Sequence, residues 1–236
     1  MPRQSDVPIS GVLPLDKPAG LTSAVALNLL KRLLPRGTKV GHAGTLDRFA
    51  TGVLVVLLGN ATRQCERWMD AGKEYLATIR LGATTETLDT DSPEQPTPGA
   101  TPPDLETLQS TLARFVGVIE QAPPTFSAVK LGGRRASDRA RAGEIVAPAL
   151  RKVRVDAIEL LRYDWPTVEL RVECGRGFYV RSLAHDLGGV LGVGGYLAAL
   201  RRTRVGLLTI HDAVPLESLD RFERLSPRLR PGFQMR

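Results

Sequence analysis

Gly41-His42-Ala43-Gly44-Thr45-Leu46-Asp47-Arg48-Phe49-Ala50-Thr51-Gly52 runs straight into Val53-Leu54-Val55-Val56-Leu57-Leu58, six apolar residues without a charge. The run is short, uncharged and half valine, which predicts a buried strand. Ahead of it, three glycines and two threonines surround one carboxylate, Asp47, with His42 five residues upstream. That predicts a single acid on an irregular loop held at the edge of a rigid element, where binding and catalytic groups tend to sit. The plainer alternative is a Gly-rich connection in which Asp47 only caps a turn.

Working outward, residues 11–18 read as a short strand ending in a turn. Thr22 or Ser23 can cap the helix that follows, with Val25, Leu29, Leu30, Leu33 and Leu34 on one broad apolar face. Residues 61–71 read as a helix closed by Gly72, and residues 73–81 as a strand with Tyr75, Ala77 and Ile79 on one side. Residues 92–103 hold five prolines and predict a surface loop. A helix over residues 104–115, capped by Asp104, comes next. Residues 121–131 read as extended and 136–142 as a short basic helix. Strands are predicted over 152–161 and 167–174, and an amphipathic helix over 178–191 with Val180, Leu183, Ala184, Leu187 and Leu191 inward. Residues 196–204 fit a helix end or a strand, and the basic, proline-punctuated stretch from Arg221 reads as loosely ordered. Hairpin-like strands mixed with separate helices predict an α+β fold.

Composition narrows the function. With 236 residues and 42% apolar content the chain can bury a sizeable core. Cys65 and Cys174 lie far apart and match no metal spacing, and with three scattered histidines they predict neither a zinc site nor a disulfide framework. The N-terminal residues show no apolar targeting core and no run approaches a membrane span, so a cytoplasmic protein is expected. Net charge is +7, and 26 of the 32 basic residues are arginine. Residues 82–106 carry six acids and no base. Residues 130–154 carry eight bases against Asp138 and Glu144, a net +6. Clustered bases of this kind are the footprint of a nucleic-acid partner.

Four blocks then line up. Lys17-Pro18-Ala19-Gly20-Leu21-Thr22-Ser23, residues 41–52, Gln121-Ala122-Pro123-Pro124 with Ser127-Ala128-Val129-Lys130, and Cys174-Gly175-Arg176-Gly177-Phe178-Tyr179-Val180-Arg181 occur in this order. Together they resemble the motifs of the tRNA pseudouridine synthase B (TruB) family. The resemblance implies a mixed, largely antiparallel central sheet flanked by helices, with a basic RNA-gripping thumb at about residues 124–154. It implies a catalytic domain over residues 8–214. About twenty residues follow, a basic tail too short for the PUA domain that many members carry. It further implies isomerisation of uridine to pseudouridine at position 55 in the tRNA T-loop, with no cofactor and no metal, by a monomer without an obligate protein partner.

The reaction breaks N1–C1′, turns the uracil and joins C5 to C1′, so the nucleotide must leave the stack. Asp47 matches the family's catalytic acid, which acts as nucleophile at C1′ or as base at C2′. Arg181 matches the arginine that pairs with this acid, and Tyr75 the tyrosine that stacks on the base. Tyr179 and Leu200 fall where the pocket is lined, and His42 where the distorted T-loop is held. Lys17 and Pro18 are expected to brace the catalytic loop. Lys130, Arg134, Arg135, Arg139 and Arg141 belong to the thumb and are expected on phosphates. The sequence departs from the family at Arg48, where proline is usual, and at Phe126, where tyrosine is common. Three other readings compete: the catalytic subunit of a guide-RNA enzyme, a non-catalytic tRNA chaperone, and a glycosidase. A glycosidase would want two acids flanking the bond.

Overall fold

The computed structural model describes residues 9–127, 129–144, 146, 148–219 and 229–230. Apart from Leu229 and Arg230, the expected loose tail lies outside the described residues. The chain forms two compact units, Met1–Glu74 with Arg201–Arg236, and Tyr75–Leu200. Down the chain come β1 (Gly11–Lys17), α1 (Ser23–Lys31), β2 (Val40–Ala43), β3 (Thr51–Leu58), a 3₁₀ segment (Gly59–Gln64), α2 (Cys65–Asp70) and β4 (Lys73–Leu81). Next are β5 (Ala83–Thr84), β6 (Gln95–Pro96), α3 (Leu105–Ala113), β7 (Gly117–Gln121), β8 (Lys130–Leu131), β9 (Arg134–Arg135) and α4 (Ala136–Arg141). The remainder is β10 (Arg151–Asp164), β11 (Thr167–Cys174), α5 (Val180–Val190), β12 (Gly195–Val205), β13 (Leu208–Thr209) and β14 (Val214–Pro215). The fold is α+β, as expected.

In the first unit the strand order is β14-β1-β3-β12, with β2 also on β3 and β13 on β12. β1 and β2 run antiparallel to β3, whereas β14 on β1 and β12 on β3 are parallel, so the sheet is mixed. Residues 53–58 are buried without exception, as an uncharged strand covered on both faces requires. Val12, Val53, Val55, Leu57, Trp68 and Val205 form one apolar cluster there. In the second unit the order is β4-β11-β10-β7, with β10 antiparallel to both neighbours. Strict alternation buries Val168, Leu170, Val172 and Cys174 of β11, the pattern its sequence predicts.

Several expectations need correcting. On α1, Thr22 is the cap, but Val25 and Leu29 are exposed and Ala26, Leu27 and Leu30 are buried. Leu29 and Leu33 line an open groove with Leu21, Leu216 and Leu219. The apolar face is broader than the one the sheet covers. Residues 41–43 are strand rather than loop, because β2 pairs with β3 through His42↔Val56. Residues 59–64 form 3₁₀ turns before α2 begins at Cys65. The extended stretch over 121–131 is broken after Gln121, where Pro123 and Pro124 cannot donate to a ladder. Residues 196–204 belong to strand β12.

Candidate active site

Asp47 lies on a loop running from Gly44 to Ala50 between β2 and β3. The backbone is held on both sides of it. The buried Ser23 hydroxyl accepts from the Leu46 amide at 2.9 Å and donates to the Leu46 carbonyl at 3.0 Å. The Arg48 carbonyl accepts from the Gly20 amide at 2.8 Å and from the Lys17 ammonium at 3.4 Å. Lys17 is fully buried at the end of β1 and also donates to Pro18 O and Leu21 O at 2.8 and 2.7 Å. It therefore joins its own turn to the Asp47 loop.

The loop's termini are held by arginines of β12. Arg202, almost completely buried, donates Nε to Val53 O at 2.7 Å and Nη2 to Gly44 O at 2.9 Å. Arg201 donates to Thr51 Oγ1 and pairs with Asp16 at 2.8 Å. Gly52 sits at φ +101°, and a Cβ there would come 2.2 Å from the Arg202 carbonyl oxygen, so the parallel β3–β12 contact requires glycine at this position. Lys73 caps the C-terminus of α2 through Met69 O and Ala71 O, both at 2.8 Å.

These cations set the local electrostatics. Burial lowers the Lys17 pKa to about 8, with the Asp47 charge opposing the shift and Arg202 adding to it. Burial, and then Arg202, lowers the His42 pKa, so that ring is neutral at physiological pH. His42 lies on β2, with its Nδ1 buried and lacking a hydrogen-bond partner among the described residues. Asp47, Lys17, His42 and Arg202 thus form one electrostatic group in the first unit.

In the second unit, Tyr179 and Arg181 lie at the start of α5. Tyr179 precedes the helix; its amide donates to Gln121 Oε1 at 2.8 Å and its carbonyl accepts from Gln121 Nε2 at 3.1 Å. Ser182 Oγ donates to Ala122 O at 2.7 Å. The Gln121-Ala122 block is therefore the clasp that seats α5. Arg181 is buried in the first turn and donates to Thr87 O and Phe126 O, both at 3.1 Å. Because Phe126 contributes its backbone carbonyl, the missing tyrosine hydroxyl leaves this contact intact. The buried carboxylate of Asp89 faces Arg181 at 3.3 Å, while its other oxygen accepts from Thr87 Oγ1 and the Asp91 amide. Tyr75 on β4 and Leu200 on β12 are both buried.

In the thumb, β8 and β9 form a hairpin leading into α4. The hairpin carries Lys130, Arg134 and Arg135; α4 carries Arg139 and Arg141. Arg134 and Arg139 both bond Glu144, at 2.7 and 2.6 Å, and Arg141 lies 3.9 Å from Asp138. The two acids of the segment thus hold three of its bases. Among the described residues no group of His, Cys, Asp or Glu is arranged to hold a metal ion. No helix among them is long and apolar enough to cross a membrane.

Three residues escaped the sequence reading. In the sequence Ser23 offers a cap and closes the first motif block, and neither points to its bonds with Leu46. Asp89 is one of six acids in an acidic run, indistinguishable there from its neighbours. Arg202 sits in Arg201-Arg202-Thr203-Arg204; of the two readings open for residues 196–204, the strand puts it by period two on the buried side with Leu200.

The model of the TruB family pseudouridylate synthase N-terminal domain matches residues 31–180, and that of the tRNA pseudouridylate synthase B C-terminal domain matches residues 181–230. A tRNA pseudouridine synthase B from Ralstonia pickettii is 48% identical over 219 residues, covering 90% of this chain and 67% of the relative. The Cupriavidus metallidurans protein of the same name is 47% identical, covering 98% and 73%. Among solved structures, a Cbf5-Nop10-Gar1 complex aligns with TM-score 0.71 at 32% identity, covering 94% of this chain and 60% of that one. An H/ACA RNP bound to a substrate RNA aligns with TM-score 0.65 at 32% identity, covering 89% and 52%.

Proposed function

The chain belongs to the TruB family of pseudouridylate synthases, and from that premise we propose that it isomerises uridine to pseudouridine at position 55 in the T-loop of tRNA. The target nucleotide is flipped out of the stack, its N1–C1′ bond breaks, the uracil turns, and C5 joins C1′. Asp47 acts on the sugar, either attacking C1′ or taking the C2′ proton. The observation that carries this reading is the backbone pinned on both sides of Asp47, by Ser23 at Leu46 and by Gly20 and Lys17 at Arg48. A carboxylate so held, in the field of buried cations, is preorganised for work at a developing positive sugar.

The remaining residues take the roles that the family resemblance assigns. Tyr75 stacks on the turned base, Arg181 supplies counter-charge, and Tyr179 and Leu200 line the pocket. A neutral His42 helps hold the displaced RNA. Lys130, Arg134, Arg135, Arg139 and Arg141 grip phosphates from the thumb. On this reading the enzyme works as a monomer in the cytoplasm, a setting in which free Cys65 and Cys174 stay reduced. No cofactor is needed, because the rearrangement is redox-neutral and intramolecular.

The test is chemical mapping of pseudouridine in an unmodified tRNA transcript after incubation with the protein. Product is expected at the T-loop uridine, and its absence at every salt concentration overturns the proposal. Asp47→Asn is expected to abolish turnover while tRNA affinity stays within about threefold, since only the reacting carboxylate oxygen is exchanged. Retained turnover would remove Asp47 from its role.

A further inference from the structure

We propose that Arg202 is a positioning residue for the reaction, a two-ended staple that sets the span of the Asp47 loop. The proposal rests on the assignment of Asp47 as the reacting carboxylate. Three observations carry it. Arg202 is 1% exposed, the largest fully buried side chain among the described residues, yet its guanidinium donates to two main-chain carbonyls. Those carbonyls belong to Gly44, where the loop leaves β2, and to Val53, where it has entered β3. One planar guanidinium therefore bonds both ends of the segment that carries Asp47. Its backbone is fixed as well, because Arg202 pairs in parallel register with Gly52 and leaves no room there for a Cβ.

The other anchors work differently. Ser23 and Lys17 grip the middle of the loop at Leu46 and Arg48. They hold the residues beside Asp47, and Arg202 sets the frame between which those residues are strung. Its charge is felt at Lys17 and His42, so it also shapes the potential around the carboxylate. A guanidinium suits this duty because its donors diverge in one rigid plane from different nitrogens; an ammonium's three donors all leave one nitrogen and meet only carbonyls that converge on it. Small errors in the placement of a reacting group cost rate far more than they cost substrate affinity.

The experiment compares Arg202→Lys and Arg202→Met with the wild type by single-turnover pseudouridine formation, tRNA affinity and thermal unfolding. Arg202→Lys keeps the charge and loses the fork. Its single-turnover rate is expected to fall about 100-fold with tRNA affinity within about threefold of wild type and cooperative unfolding retained. Arg202→Met is expected to be slower still. A rate for Arg202→Lys within about threefold of wild type overturns the proposal, since charge alone would then suffice. Affinity falling in step with rate also overturns it, as does loss of cooperative folding in both variants, which would make Arg202 a determinant of the fold. Failure here is separable from failure of the Asp47 assignment, which retained turnover in Asp47→Asn alone would signal.

Discussion

Lys17 carries a charge into a place where water does not reach. Removing an ammonium from water is costly unless its donors are met, and here three carbonyls meet them. The cost shows in a pKa lowered from 10.5 to about 8, with the Asp47 charge offsetting part of it. The sign for stability follows. Between pH 8 and 10.5 the unfolded chain holds a proton on this lysine that the folded chain has given up, so stability rises with pH across that window. Compared with Lys17→Met, the wild type is expected to gain in denaturant midpoint between pH 8 and 10; a constant difference would show that burial does not perturb Lys17. Asp89 illustrates the same economy of pairing. It is buried, and Arg181, Thr87 and the Asp91 amide occupy its oxygens. Removing one partner from such a network strands the others, which is costlier than the pair is worth.

At the scale of elements, α5 shows how backbone packing overrides propensity. Gly188 lies inside the helix, where alanine would ordinarily be favoured by about 1 kcal/mol. A Cβ there would come 2.2 Å from the Gly194 carbonyl carbon and 2.3 Å from the Gly195 amide nitrogen. Val193 N and Gly194 N both donate to Gly188 O at 3.0 Å, so the following turn is laced to the helix and cannot retreat. Gly188→Ala is therefore expected to destabilise by about 3 kcal/mol, opposite in sign to propensity. Urea unfolding measures it, and a variant as stable as wild type would show that the turn yields. The same helix is seated at its start by Gln121 and Ser182, which places Tyr179 and Arg181 at a fixed end rather than a fraying one.

For the molecule as a whole, charge is unevenly spread. The net +7 hides an acidic run over 82–106 and a basic run over 130–154. The second is less available than its count suggests, since Glu144 receives both Arg134 and Arg139. Exposed ion pairs of this kind are weak, and phosphate can compete for the guanidinium groups. Glu144→Gln is expected to tighten tRNA binding at low salt and to steepen the slope of log K against log salt by about one to two. An unchanged slope would mean that Glu144 does not keep these arginines from phosphate.

Sequence alone determined the α+β class, the buried strand at residues 53–58 and the loop that offers Asp47, because periodicity and glycine spacing are local properties. The basic segment was equally plain, charge being countable. Local pattern also misled where two faces were apolar: of the face α1 offered, Leu30 is buried, but Val25 and Leu29 are exposed and Ala26 and Leu27 are buried in their place. Which acid of the run over 82–106 is buried, and which arginine of Arg201-Arg202-Thr203-Arg204 turns inward, depended on partners far along the chain. Asp89 finds Arg181 and Arg202 finds Gly44 and Val53, at separations where no periodicity speaks. A polar side chain can stay buried only where its hydrogen bonds are met, and only the folded backbone decides where those partners stand.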